Sequence, residues 1–162
     1  MISRRQQGLA TVEFAIVASL VLTMIFGVIE VARAYYVYSM LDDVARRGAR
    51  LAAVCPVNDP AVPRLAIYNN SGNAGNSPLV KGLTPAHVVI DYLDAGNNIV
   101  ATPTNPASFV QIRYVRARIV GYEHLAVLPW LVGATGIEMP EFVSTLPRES
   151  LGIPREGAIT PC

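Results

Sequence analysis

Charge is scarce in this chain. Of its 162 residues only 15% are Asp, Glu, Lys or Arg, against about 25% in a typical soluble domain. The formal net charge is +1, which removes any general electrostatic case for binding nucleic acid. Histidine and cysteine are as sparse, with His87, His124, Cys55 and Cys162 the only ones. Their spacings match no usual zinc pattern, so surface or partly buried histidines are the plain reading and no metal site is assigned. Ser108, Ser144 and Ser150 lack the context of a nucleophile elbow, and no glycine loop suits a phosphate. These absences argue against an enzyme and against a cofactor.

What is abundant is apolar: 52% of the residues are hydrophobic. They concentrate near the N-terminus, where Phe14 to Ile29 contains no charge and Leu9 to Ile29 contains only Glu13. About 20 residues at 1.5 Å rise cross a bilayer core. An ionisable group inside such a segment is costly and by default marks function.

The helical pattern continues past the apolar run. Val37, Met40, Leu41, Val44, Ala45, Gly48, Leu51, Ala52 and Cys55 recur at three- and four-residue steps. The opposite face carries Asp42, Asp43, Arg46, Arg47 and Arg50, in which Asp42–Arg46 and Asp43–Arg47 are acid-before-base pairs four apart. Pro56 stops the pattern. One helix is therefore expected from Leu9 to about Cys55, roughly 70 Å long. Its first half is apolar all round and suits lipid; its second half is amphipathic and suits packing on a domain.

Three readings of this segment compete: a processed pilin-type anchor, a signal peptide cut after Ala34, and an uncleaved single-pass anchor. Ala32-Arg33-Ala34 fits a small-x-small cleavage pattern and Arg4 with Arg5 supply a basic start. The apolar core is longer than the ~7–15 residues of a signal peptide, and Glu13 lies inside it. Orientation by basic residues is divided. Arg4 and Arg5 favour a cytoplasmic start, while Arg33, Arg46, Arg47 and Arg50 lie beyond the span. Arg33 can pair with Glu30 or snorkel, and Tyr35, Tyr36 and Tyr38 suit an interfacial aromatic belt.

The order of features resembles a known family. Arg4 and Arg5, Gly8, Val12-Glu13-Phe14-Ala15, Phe26-Gly27-Val28-Ile29-Glu30 and Ala34-Tyr35-Tyr36 together look like a TadE-like protein. These proteins are minor pseudopilins of the bacterial tight-adherence (Tad, or Flp-type) type IV pilus, involved in adhesion. The resemblance covers roughly Arg4 to Ala53. It implies recognition of the leader charges Arg4 and Arg5 by a prepilin peptidase and a cut after Gly8. Leu9 would then be the new N-terminus and Glu13 the fifth residue, with Glu13 and Phe14 setting register during assembly. Leu9 stands where many pilins place a phenylalanine that becomes N-methylated, so methylation stays open. Implied partners are the peptidase, other Tad major and minor pilins, the inner-membrane assembly platform and membrane lipid. The implied location is the bacterial inner membrane, with the C-terminal domain periplasmic.

The resulting division is a leader over residues 1–8, a transmembrane helix over 9–32, an amphipathic continuation over 33–55, a Pro/Asn/Gly-rich loop over 56–86, and a sheet domain with an irregular tail over 87–162. Asn69-Asn70-Ser71 fits a glycosylation pattern only formally. Val88 to Leu93 reads as a strand, paired in a hairpin with Ile99 to Ala101 across a Gly-Asn turn. Phe109 to Tyr122 is the strongest strand, with a slip in alternation at Tyr114-Val115 that suggests a bulge. Within it Arg113, Arg116 and Arg118 form a basic stretch read as a solvated face. His124 to Gly133 reads as a short helix or packed loop. Ile137 to Thr145 is expected to be an edge strand, interrupted by Pro140. The fold expected is α+β: a long helix packed by its second half on a small antiparallel sheet, the pseudopilin plan. If that domain lies outside the cytoplasm, Cys55 and Cys162 are expected to form a disulfide tying the irregular tail to the helix end; two free thiols are the alternative.

Overall fold

The computed structural model describes residues 4–70, 72, 75–127, 136–153 and 162, with side chains from residue 8 onward. Helix α1 spans Arg4–Val54, about 77 Å at the standard rise. It starts before Leu9, and Gly8 does not interrupt it. No proline lies between its ends, and Pro56 comes two residues after its last, Val54. Its two halves differ as their composition requires. Leu9, Phe14, Ile16, Leu20, Met24 and Val28 are exposed, whereas Val37, Leu41, Val44, Ala45, Ala49, Ala52 and Ala53 are buried. The buried set advances by three and four residues and forms one stripe.

That stripe lies on a three-stranded antiparallel sheet. Strands β1 (Val88–Leu93), β2 (Tyr114–Ile119) and β5 (Phe142–Pro147) run in the order β1-β2-β5. Val88, Tyr92, Val115, Ala117, Ile119 and Phe142 are buried against the helix or beside it. The approach is closest at Gly48, where an added Cβ would stand 3.2 Å from the Ala117 Cβ and 3.5 Å from that of Ala66. Small residues on both sides let the helix sit low on the sheet.

Residues 56–86 depart from a plain loop. Pro60 leads into a short helix, α2 (Ala61–Ala66), and a single 3-10 turn covers Pro85–His87. Ala61, Val62, Ala66, Ile67, Val80 and Leu83 are all buried, so this segment supplies much of the core. Its prolines and asparagines set turns between apolar residues that were too dispersed to show a period. The Asn69 side chain donates to the Gly75 carbonyl at 2.9 Å and helps close one such turn.

Three strand expectations change. β1 has the expected limits, but its hairpin partner is only a bridge, Leu93 with Ile99, plus the Val100 N–H to Tyr92 C=O bond of 2.8 Å. The chain then turns away toward α3 (Pro106–Phe109), and β2 becomes the true neighbour of β1. Second, β2 is shorter than 109–122, and its register is regular throughout. The slip at Tyr114-Val115 marks the start of the strand, with Ile112 already buried beneath it; it is not a bulge. Third, the segment 137–145 splits. β4 (Ile137–Glu138) pairs with β3 (Glu123–His124) in a separate ribbon. β5 begins after Pro140 and lies at a sheet edge as expected. The reading of His124 to Gly133 falls mostly on residues 128–135, outside the described part.

The C-terminal segment finishes α1. Glu149 and Leu151 N–H groups donate to the Ala53 carbonyl at 3.1 and 3.2 Å, and Gly152 N–H donates to the Val54 carbonyl at 2.6 Å. The Ser150 hydroxyl also donates to Val54 C=O, at 3.0 Å. These bonds satisfy carbonyls that a helix end leaves open. Gly152 is required there: its φ is +79°, and a Cβ would meet Pro56 at 2.6 Å. Cys55 and Cys162 form a disulfide, with Cα atoms 5.8 Å apart. The intervening tail, 154–161, is outside the described residues.

Candidate functional site

Glu13 is the single charge on α1 between Leu9 and Ile29. Around it Leu9, Val12, Phe14, Ile16 and Val17 are all exposed. At Gly8 an added Cβ would meet nothing within 4 Å, so this stretch is bare on every side. Arg4 and Arg5 belong to the same helix, but their side chains are outside the described part. Gly8, Leu9, Glu13 and Phe14 thus share a short, accessible length of helix remote from the sheet. In lipid a carboxylate there needs a partner from another chain or from a new terminus.

A second carboxylate lies where the apolar run ends. Glu30 is only 7% exposed although it is one residue beyond Ile29. Arg33 Nη1 donates to its carboxylate at 3.2 and 3.3 Å, as the sequence allowed. The Val127 backbone N–H also donates to it, at 3.3 and 3.2 Å. His124, 3% exposed, turns its Nε2 toward Glu30 Oε1 at 3.7 Å. That imidazole nitrogen has no hydrogen-bond partner. Glu30 therefore ties the β3 segment to the helix at the end of the apolar run. The isolated histidine offered little sign of this, although an acid closing an apolar run is a signal in itself. His124 is buried, unlike the surface or partly buried position expected for it.

The arginines of β2 are not a solvated face. Asp91, in the middle of β1, accepts from Arg116 at 2.9 Å and from Arg118 at 2.7 Å. Arg118 continues to Glu141 at 3.1 Å. Antiparallel register places Asp91 opposite Arg116, with Arg118 its diagonal neighbour. Burial pushes the Asp91 carboxyl up, but hydrogen bonds and charge from Arg118 and Arg116 outweigh this and hold it below the usual carboxylate value. An aspartate within Val88-Val89-Ile90-Asp91-Tyr92-Leu93 is the signal that could have pointed to this network. Arg113 is separate and donates to the Val110 carbonyl at 3.2 Å.

On the outer side of α1, Arg46 pairs with Asp42 at 2.8 Å. Arg47 stacks over the Tyr68 ring at 4.5 Å, and the Tyr68 hydroxyl donates to Asp43. That bond to Asp43, with burial, raises the Tyr68 hydroxyl above its ordinary value. Of the proposed tyrosine belt, Tyr35 and Tyr36 are exposed, while Tyr38 packs edge-on against Phe142 at 4.8 Å. Tyr38 thus belongs partly to the domain contact.

The histidines and serines are dispersed. His87 Nδ1 accepts from Thr84 N–H at 3.0 Å and its ring meets Tyr122 edge-on, well apart from His124 in β3. Ser108 pairs with Thr102 and Ser150 caps α1. Among the described residues no three His, Cys, Asp or Glu side chains are grouped to hold a metal ion.

Comparison with known proteins fits this division. No curated protein and no solved structure matches the chain. The family model described as TadE-like protein matches residues 8–50, from Gly8 through Glu13 and Glu30 to the helical stripe. That family is one of pilus components. Over residues 8–50, about a quarter of its length, the chain is similar to that family.

Proposed function

We propose that the chain is a minor pseudopilin of a Tad/Flp-type pilus. It is held in the bacterial inner membrane by the first half of α1, with its sheet domain in the periplasm. The carrying observation is that the TadE-like match begins at Gly8 and takes in Glu13. Support comes from the bare, apolar surface around them. In this reading a prepilin peptidase recognises the segment from Arg4 to Glu13 and cuts between Gly8 and Leu9. The new Leu9 ammonium and the Glu13 carboxylate are then the polar groups in an apolar bundle of helices. Pairing across neighbouring subunits offsets the cost of burying each alone and sets register, with Phe14 beside it. Other Tad pilins and the inner-membrane assembly platform are the partners, and adhesion by the finished pilus is the outcome.

Intact mass of the mature chain, purified from its native membrane, tests this. The expected mass is that of Leu9–Cys162 less two hydrogens. A chain beginning at Met1 would favour an uncleaved anchored binding or adhesion module. One beginning at Tyr35 would favour a secreted protein cut after Ala34. The latter cut would discard Glu30 and its bonds to Val127, which weighs against it. Glu13→Ala is expected to remove pilus assembly while leaving membrane insertion intact, read by pilus counts and membrane fractionation. Normal piliation would refute the role of Glu13 in register.

A further inference from the structure

We infer that the β3 arm, residues 123–127, is a second membrane contact, with Leu125 and Val127 seated in the rim of the lipid bilayer beside the helix exit. This rests on the membrane-anchored reading above. The apolar run from Leu9 to Ile29 matches the thickness of a bilayer core, about 30 Å, so its end places Glu30 at the edge of the hydrocarbon. Val127 is held at that level, because its N–H bonds to the Glu30 carboxylate at 3.2 Å.

The arm alternates accordingly. His124 is buried and turned toward Glu30, while Leu125 and Val127 are 62% and 63% exposed. Two large apolar side chains left bare on this arm are costly in water and favourable in lipid. On α1 at the same level, Val28 and Val31 are each 70% exposed, so the arm extends an apolar surface that the helix already presents. The polar backbone is provided for: the Val127 N–H, which would be expensive to leave open at the bilayer rim, has a carboxylate acceptor.

The adjoining cleft fits the headgroup layer. It has a volume of about 340 Å³ and is lined by Arg33, Lys81, Tyr36 and Glu123 alongside Leu125. Arg33 and Lys81 can reach phosphates from apolar stems, and Tyr36 is a residue type of the interface. The occupant of the exposed Leu125–Val127 surface is therefore phospholipid, by continuity with the span. The consequence is a fixed angle between the span and the sheet domain, since the domain then meets the bilayer at two points.

Depth-dependent fluorescence quenching tests this on the full-length chain. It would be reconstituted in phosphatidylcholine–phosphatidylglycerol vesicles brominated on the acyl chains near the headgroups. The single native tryptophan, Trp130, is first replaced by Phe. One tryptophan is then introduced by Leu125→Trp, Val127→Trp, Met24→Trp or Val110→Trp, all at exposed positions. Val110 adjoins Phe109, which packs in the cluster of Ala52 and Cys55, about 37 Å along the helix from Glu30. Expected is loss of most emission at positions 24, 125 and 127, with none at 110. Quenching at 24 but at neither 125 nor 127 would overturn the inference and leave the anchor standing. No quenching at 24 would overturn the anchor itself. Equal quenching at 110 would also overturn the inference, because the whole domain would then lie on the lipid.

Discussion

Replacing both Cys55 and Cys162 with serine is expected to lower the stability of the sheet domain by about 4 kcal/mol. The bridge joins residues separated by 107 positions in sequence and so encloses almost the entire domain. In the chain-entropy account, long loops lose the most freedom in the unfolded state when closed. The effect in the folded state is local. Cys55 directly follows α1, and the segment 149–152 bonds to the carbonyls of Ala53 and Val54. Without the bridge those backbone bonds must hold the terminus alone, and terminal segments order poorly unless tied down. Guanidinium unfolding of the oxidised chain in detergent, against the double variant, measures this. Equal midpoints would show that the bridge contributes nothing beyond the capping bonds.

Asp91→Asn should cost about 3 kcal/mol, the lower end for breaking a buried pair, because Arg116 and Arg118 are each about a quarter exposed. The substitution keeps the shape but leaves both guanidinium groups with a neutral amide between the strands. The pH response follows from the direction of the Asp91 shift. Its carboxyl is held below the ordinary value in the folded chain, so the folded state favours the ionised form. That contribution is complete above the ordinary carboxylate pKa of about 3.9 and is lost as pH falls through the lower folded value. Unfolding curves between neutral pH and strong acid should therefore converge for wild type and Asp91→Asn. A constant gap down to the lowest pH would show that the aspartate acts by shape alone.

The readable parts of the chain were those set by local pattern. A helix from near Leu9 to Cys55 was legible because apolar spacing, paired charges and the first proline all agree there. The limits of β1 were legible because turn residues bracket an apolar run. The TadE-like match from Gly8 was legible from residue order: a basic start, Gly8, then Glu13 inside an apolar stretch. Less was visible between residues 56 and 86, where Val62, Ile67, Val80 and Leu83 reach the core from separate turns with no common period. The strand pairing was also out of reach. Ile99 was the obvious partner for Leu93 by proximity in the chain, but β2 offers a full six-residue ladder and the hairpin arm one bridge.

Sequence alone determined the apolar span, the lone Glu13 within it, the change to an amphipathic stripe, and the α+β class, because each depends on composition and periodicity over neighbouring residues. The tertiary structure decided which distant groups meet. It brought Asp91 to Arg116 and Arg118 across a strand register, the C-terminal segment to the last carbonyls of α1, and Val127 and His124 to Glu30 from nearly a hundred residues away. A charged side chain on a strand or at a helix end reads the same whether solvated or paired. Only the packing of the sheet against the helix selects its partner, since that packing removes water from some of these groups and leaves others in it.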